Sequence, residues 1–155
     1  MRVSPEDLGA PDLKLAGLQL WVHGRQFPDA TDYYDGNWLI VTAHCGSSGA
    51  SVWTSGAILL VQDLVGWAQQ CEALRQGERS EAELAPMEAE LKVVVQRSDG
   101  LGHFVMNVNI TPNNMTQNHT FKFEIDQTYL PEITRQCRAI EARFPVRGRA
   151  HEDAV

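Results

Sequence analysis

The residues best suited to bind another molecule lie in one short segment, residues 32–39, which reads Asp-Tyr-Tyr-Asp-Gly-Asn-Trp-Leu. Two carboxylates flank two phenol rings there, and a further aspartate precedes them. Carboxylates pair with Arg or Lys across an interface, and aromatic side chains supply a large contact area with few rotatable bonds. The segment therefore predicts a protein-binding surface. Its residues are Asp29, Asp32, Tyr33, Tyr34, Asp35, Asn37 and Trp38.

The same segment has a second interpretation, as a turn that supports the fold. Gly36 permits a positive φ just before the strand that starts near Trp38. Asp35 can cap its own backbone there, while the tyrosine and tryptophan rings anchor the turn. A calcium loop is excluded, because that site needs oxygen ligands at alternate positions and a terminal bidentate glutamate. The residues alone leave the contact surface and the structural turn both open.

The histidines do not follow a known catalytic or metal-binding pattern. They are scattered without the spacing of a zinc site, at His23, His44, His103, His119 and His151. One alternative function uses two of them. His23 and His44 can meet in adjacent strands near Asp32 or Asp35, which would form the pocket of an enzyme or a small-ligand or metal-binding protein.

Nucleophile and nucleotide motifs are also missing. Cys45 follows His44 on a strand, so the two side chains point to opposite faces and do not form a catalytic pair. The Gly-Ser-Ser-Gly segment at 46–49 is followed by a strand, which predicts a hairpin turn instead of a nucleophile elbow. Glycine-rich phosphate loops are absent from the sequence. We therefore expect a chain that is not an enzyme and has no catalytic residues, cofactor or metal.

Hydrophobic periodicity predicts three strands followed by a helix, twice. Alternating apolar residues predict strands, and apolar residues at spacings of three and four predict amphipathic helices. The first unit has strands near 18–22, 37–45 and 51–60 and a helix over 64–74. The second unit has strands near 91–95, 104–110 and 121–125 and a helix over 130–144. The strand at 37–45 is apolar on both faces, so we predict that it is covered on both sides.

When the sequence is aligned with itself at an offset of 66 residues, residues 37–74 of the first unit match the second unit without a gap. This 66-residue shift pairs Gln70 with Gln136. The first unit has seven additional residues between its first two strands, in the Asp- and Tyr-rich loop. We predict an α+β fold with six mostly antiparallel strands in two β-β-β-α units. Both helices should lie on one face of the sheet, because each has a single apolar stripe to bury. The other face would then be open to solvent.

The predicted organisation is a single domain over residues 1–155. A loose N-terminal arm covers 1–12, and the first unit covers 13–77. Residues 77–86, rich in Glu and Ser, are expected to form a connector with at most one short helical turn. The second unit covers 87–145, and a polar, frayed tail covers 146–155.

Composition excludes several classes of protein. The chain has 155 residues, 43% of them hydrophobic, and a formal net charge of −7. An acidic protein is a poor general binder of nucleic acid or anionic membranes, because phosphate attraction needs a basic face. We expect no secretory signal, because the first residues form no apolar segment, and no membrane span, because no apolar run reaches transmembrane length. With an odd count of three cysteines, a reduced state and a cytoplasmic location are expected.

Residues 27–39, with Phe27-Pro28 followed by the 32–39 motif, resemble the signature of the WapI-type immunity proteins. Tyr129-Leu130 at a helix start and the Phe-Pro-Val-Arg-Gly segment at 144–148 are also similar to that family. These small bacterial proteins belong to polymorphic-toxin, or contact-dependent inhibition, systems. The resemblance implies a cytosolic, non-catalytic protein that blocks a toxin domain made by its own cell.

The expected partner is therefore a basic protein, namely the C-terminal toxin domain of a secreted protein. The acidic charge independently favours a basic partner, because nuclease toxins need positive charge to hold phosphates. Direct contact with nucleic acid or membrane is not expected. A third hypothesis is a scaffold protein that forms a homodimer through a sheet edge.

Overall fold

Strand pairing organises residues 5–150, the part of the chain that the computed structural model describes, into two antiparallel sheets. The first sheet has the order β1 (Leu13–Leu15), β2 (Leu18–Arg25), β3 (Trp38–Ser47) and β4 (Ala50–Leu60). The second sheet has the order β5 (Glu81–Leu84), β6 (Leu91–Arg97), β7 (His103–Ile110) and β8 (Thr120–Asp126). Both sheets are simple meanders, because every neighbouring pair is consecutive in the chain.

Each sheet is followed by a fifteen-residue helix, α2 (Val61–Arg75) after β4 and α3 (Tyr129–Arg143) after β8. A short helix, α1 (Pro5–Leu8), precedes β1. The predicted helical stripes are confirmed, because their residues are buried in one continuous apolar core. They are Leu64, Trp67, Cys71 and Leu74 in α2 and Leu130, Ile133, Cys137 and Ile140 in α3.

The prediction of an α+β fold with antiparallel strands is confirmed, but the single six-stranded sheet is wrong. The structure adds β1 and β5, two edge strands of three and four residues. Such segments are too short for an alternating pattern to show in the sequence, and their partner strands supply their hydrogen bonds. β5 lies within the predicted connector at 77–86.

The packing of α2 and α3 also differs from the prediction that both helices lie on one face of a single sheet. They pack against each other, and each also contacts the first strand of the other half: α2 lies against β5, and α3 lies against β1. The two sheets meet through β3 and β4 on one side and β7 and β8 on the other. The apolar stripes are therefore buried largely between the two halves.

Two glutamines join the helices to these edge strands. Gln136 on α3 accepts a hydrogen bond from Lys14 N at 2.6 Å and donates to Lys14 O at 3.2 Å. Gln70 on α2 accepts from Glu83 N at 2.9 Å. These two glutamines superimpose under the 66-residue shift, so each helix binds an edge strand through a glutamine, with two backbone groups at Gln136 and one at Gln70. An edge strand otherwise leaves such backbone groups unpaired.

Replacing Gln136 by leucine is expected to lower the free energy of unfolding by about 2 kcal/mol, because two backbone groups of Lys14 lose their partner. The matched control is the same substitution at Gln69, which is exposed on α2. Urea unfolding followed by circular dichroism measures both variants. Equal unfolding midpoints for the two variants would show that the glutamine contact contributes nothing to stability.

The central strand β3 is fully buried on one face and partly covered on the other, where Thr42 is only 7% exposed, so the prediction of a strand covered on both sides is met in part. Leu39, Val41 and Ala43 are fully buried, whereas Ile40 on the opposite face is 38% exposed. The outer face of this sheet also carries Trp21 stacked on Trp53, with ring centroids 5.8 Å apart. Trp21 is itself buried, and its indole donates to Gly9 O, so aromatic side chains cover part of this outer face.

The N-terminal arm, expected to be loose, is attached to β2 and α3 in its described part. Gly9 O accepts a hydrogen bond from the indole of Trp21 at 3.1 Å. The Asp12 carboxylate accepts from Val22 N at 2.7 Å and from Arg143 at 2.6 Å. Residues 1–4 of the predicted arm and 151–155 of the predicted tail lie outside the described residues.

None of the helices within residues 5–150 combines the length and the apolar character needed to cross a membrane.

Candidate functional site

The loop between β2 and β3 folds through short-range contacts of its own residues. The Asp32 carboxylate accepts a hydrogen bond from Asp35 N at 3.0 Å, and Gly36 N donates to Asp32 O at 3.1 Å. A turn of 3-10 helix, Asp35–Asn37, then leads into β3. Gly36 is needed for close packing, since a Cβ there would lie 2.9 Å from Ala30 O. Its φ is not positive, which corrects that prediction.

Asn37 lies at the centre of this arrangement and is completely buried. Its side-chain amide donates to Tyr33 O at 2.6 Å and to Arg147 O at 2.9 Å. Its Oδ1 accepts from Arg147 N at 2.9 Å and from the Arg25 guanidinium at 3.2 Å. The Asn37 amide thus pairs with the Arg147 backbone as a neighbouring strand would.

Two arginines join the loop to the C-terminal segment through backbone carbonyls. Arg25 donates to Gly36 O and to Pro145 O, both at 2.5 Å. Arg147 donates to Pro28 O at 2.6 Å and to Ala30 O at 2.9 Å. Burial lowers the pKa of Arg25, and the charge of Arg147 lowers it further. An arginine stays protonated in proteins nevertheless, so both side chains remain cationic.

The segment 145–148 therefore packs on the loop, which corrects the prediction that the tail is frayed from residue 146. Gly148 has a φ of +69°, and a Cβ there would lie 2.7 Å from Tyr33 N. We call residues 25–38 together with 145–148 the loop–tail unit. The sequence motifs do not predict this contact, because its two parts are more than a hundred residues apart in the chain.

The predicted binding residues divide between the surface and the interior of the loop–tail unit. Asp29 and Asp35 are exposed, and Tyr34 is 46% exposed. Asp32, Tyr33 and Trp38 are half-buried, and Asn37 is buried, so its side chain supports the loop instead of facing outwards. One set of residues thus builds the turn and another set faces solvent, while the binding role of the exposed set stays a prediction.

The three aspartates of the loop have no ion-pair partner within the described residues. The ion pairs found there involve other acidic residues, such as Asp12 with Arg143 and Glu72 with Arg75. Both arginines of the loop–tail unit donate to backbone carbonyls, as described above. The carboxylates of Asp29 and Asp35 are consequently exposed without a neighbouring cation paired to them.

A family model of WapI-like immunity proteins matches residues 12–145, which is most of the chain and includes the whole loop. The chain belongs to the WapI-like immunity protein family. The resemblance expected from the 32–39 motif is thereby confirmed. The matched span ends at Pro145, just before the residues of the tail that pair with Asn37.

Comparisons with individual proteins add little to the family match. None of the curated proteins matches the chain significantly. A solved chain from a guide-RNA-binding protein complex with bound guide RNA is similar over 85% of this chain and 94% of its own length, at 12% sequence identity and a TM-score of 0.40.

The histidine alternative does not assemble in this WapI-like protein. Gln19, not His23, pairs opposite His44 in the first sheet. His23 Nε2 lies 2.8 Å from Thr42 Oγ1, and His44 hydrogen bonds to Gln19 and Ser51. Burial lowers the pKa of His44, which favours its neutral form. Within residues 5–150, no group of three His, Cys, Asp or Glu side chains is placed to hold a metal ion.

The cysteines of this WapI-like chain are buried, unpaired thiols. Burial raises the pKa of Cys45 and of Cys71 to about 12. It also raises the pKa of Cys137. A thiol attacks or binds metal only as the thiolate, so these three side chains act as small core residues.

The motif by itself does not predict the supporting residues Arg25, Arg147 and Gln62. Gln62 on α2 donates to Tyr33 O at 2.9 Å and so connects the helix to the loop. Each of these side chains binds a backbone carbonyl, which leaves no compositional signal in the sequence. The family-like segment at 144–148 was the one sequence signal in this part of the tail, and it did not prevent the prediction of a frayed tail from residue 146.

Proposed function

We propose that this WapI-like protein is a non-catalytic immunity protein that neutralises a toxin domain made by its own cell. Its membership of the family supports this role. The observation that carries the proposal is the exposure of Asp29, Tyr34 and Asp35 on a loop that is fixed from beneath by buried Asn37. The proposed binding surface is this exposed set, with Asp32, Tyr33 and Trp38 at its edge.

The order of the loop favours binding. A loop that is already fixed loses little conformational freedom when a partner docks. The Asn37–Arg147 pairing and the two arginines provide this order before any partner is present. Phe27, which is 45% exposed on the same loop, adds an apolar contact beside the carboxylates.

The charge of the protein favours a basic partner. The net charge is −7, and the loop contributes three aspartates without ion pairs among the described residues. Opposite charges speed the encounter of two proteins and disfavour partners of the wrong charge. A toxin domain that acts on nucleic acid is basic because it has to hold phosphates, so we propose such a domain at the C-terminus of a secreted protein. The encounter would take place in the cytoplasm.

Co-expression tests this function. The C-terminal domain of any secreted protein encoded beside this gene is induced in cells that carry either the intact chain or an empty vector, and survival is counted. We expect cells with the intact chain to survive and cells with the vector to die. The proposal fails if both cultures die equally although immunoblots show that both proteins are made.

A further inference from the structure

β4 is a long edge strand without a charged side chain. None of its eleven residues is Asp, Glu, Lys or Arg. It pairs with β3 on one side, and no further strand among residues 5–150 pairs with its other side. An edge strand presents backbone groups that can pair with another chain, and proteins protect such edges with charged side chains, bulges or very short strands. The outer side of β4 is therefore open to a further strand.

The other three edges of the described sheets are protected. β1 and β5 have only three and four residues, and Gln136 and Gln70 already bind their backbone groups. β8 carries Lys122, Glu124 and Asp126 among its seven residues, and all three are exposed. A strand added to β8 would have to lie beside these charges. The lack of protection is thus specific to β4.

The direction of the β4 backbone follows from the hairpin that joins this strand to β3. Gly46 N donates to Gly17 O at 3.1 Å and so points away from β4. Ser51 lies opposite Gly46, so its own N–H and C=O point away from β3. Because these directions alternate along an antiparallel strand, Trp53 and Ser55 also present their backbone groups outwards. Three alternate residues of β4 can therefore hydrogen bond to an added strand.

We propose that this edge binds a second copy of the chain, with the two β4 strands antiparallel and Trp53 on the two-fold axis. In this register Ser51 lies opposite the partner's Ser55, and Val52 lies opposite the partner's Thr54. Small hydroxyl side chains, β-branched side chains and the two indole rings each meet their own kind across the axis, and such cross-strand pairs stabilise sheets. A homodimer through a sheet edge was one hypothesis from the sequence, and β4 is the edge suited to it.

The chemistry of this edge fits a second copy better than a basic protein. An uncharged strand offers a cationic surface no attraction, whereas the exposed aspartates of the loop–tail unit do. The Trp53 ring is also fixed before pairing, because it stacks on Trp21 with centroids 5.8 Å apart and lies 4.2 Å from the His44 ring. A side chain that is already held loses little conformational freedom when the dimer forms.

The proposed dimer leaves the loop–tail unit accessible. Trp38, the last residue of β3's side of that unit, pairs with Leu60 at the C-terminal end of β4. Ser51 and Ser55 lie towards the other end, beside the turn to β3. A bulge near Ile58 separates the two parts of the strand. Dimer formation and toxin binding can therefore be measured independently.

Sedimentation velocity of the full-length chain across a wide range of concentrations tests the dimer. We expect a reversible equilibrium between monomer and dimer that shifts towards the dimer as the concentration rises. Each copy has a net charge of −7, so added salt should strengthen the dimer by screening this repulsion. Salt should weaken the binding of a basic partner for the same reason. A chain that stays monomeric at every concentration overturns the proposal.

Two double variants at exposed serines test the edge and the register. Ser51→Lys combined with Ser55→Lys places like charges opposite each other twice across the axis, so the dissociation constant of the dimer should rise about tenfold or more. Ser51→Glu combined with Ser55→Lys places opposite charges there and should retain the dimer. Both variants lose the same two hydroxyl groups, so circular dichroism of one controls for the folding of the other. Thr116→Lys combined with Gln117→Lys adds the same charge in the exposed turn before β8 and should leave the dimer intact.

Each variant can contradict a different part of the proposal. Undiminished dimerisation of the double-lysine variant at β4 overturns the choice of this edge, and so does an equal loss in the Thr116 and Gln117 variant. An equal loss in the Glu/Lys variant overturns the antiparallel register centred on Trp53. If the intact chain is monomeric and the β4 double-lysine variant binds the toxin domain more weakly, the edge binds the toxin and not a second copy.

Discussion

Replacing Asn37 by alanine should lower the free energy of unfolding by about 3 kcal/mol, because backbone groups of Arg147 and Tyr33 lose hydrogen bonds to a fully buried side chain. Arg25 also loses one acceptor. Both halves of the loop–tail unit depend on this one amide, so we expect the loop to become more mobile as well. Urea unfolding measures the stability, and amide hydrogen exchange of residues 29–37 measures the mobility.

Asn114→Ala is the matched control for Asn37→Ala. Asn114 is exposed in the turn between β7 and β8, so the same truncation there should change stability by less than about 0.5 kcal/mol. The stability of Asn37→Asp should lie between those of Asn37→Ala and Asn114→Ala. The aspartate retains the acceptor for Arg147 N and places a negative charge beside Arg25 and Arg147. If Asn37→Ala unfolds at the same urea concentration as Asn114→Ala, the Asn37 amide is not what joins the loop to the tail.

The second large effect concerns binding. Asp29→Lys combined with Asp35→Lys should weaken binding of the toxin domain about 100-fold or more, because two attractive contacts with a basic surface become repulsive. Both carboxylates are exposed, so the stability should change by less than about 0.5 kcal/mol. Asp32 is left intact, since its carboxylate holds the backbone of the turn. Titration calorimetry with the purified toxin domain measures the affinity.

A control variant with the same change in net charge distinguishes the effect of the loop surface on affinity from the effect of the protein's net charge. Glu78→Lys combined with Glu88→Lys reverses two exposed charges outside the loop–tail unit. We expect this control to slow association slightly and to leave most of the affinity. Equal loss of affinity in the two double variants would mean that net charge, and not the loop, determines binding. Undiminished affinity of the Asp29/Asp35 variant would remove the loop from the interface.

The sequence was most informative where structure depends on near neighbours. The alternating residues of β2, β7 and β8 and the stripes of α2 and α3 report contacts that repeat every two to four residues, so their periodicity predicts them. The strands β1 and β5 were not predictable in this way. They are short, and the hydrogen bonds that define them come from β2 and β6 and from the glutamines of the helices.

The candidate site likewise has some features that the local sequence predicts and others that depend on distant segments. The composition of residues 29–38 was enough to identify the loop as unusual and to relate it to the immunity protein family. It selected seven candidate contacts, namely Asp29, Asp32, Tyr33, Tyr34, Asp35, Asn37 and Trp38, without separating exposed from buried ones. The sequence did not reveal that Asn37 faces inwards. Its partner, Arg147, is 110 residues away, and no local pattern encodes a contact over that distance.

The sequence by itself therefore determined the residue types at the surface of the loop, the acidic charge and the periodic elements. The tertiary structure alone decided that there are two sheets and that each helix packs on the first strand of the other half. The physical reason is that burial and hydrogen bonding between distant segments depend on which surfaces meet. That choice is made by the packing of the whole chain, whereas periodicity records only which face of each element is apolar.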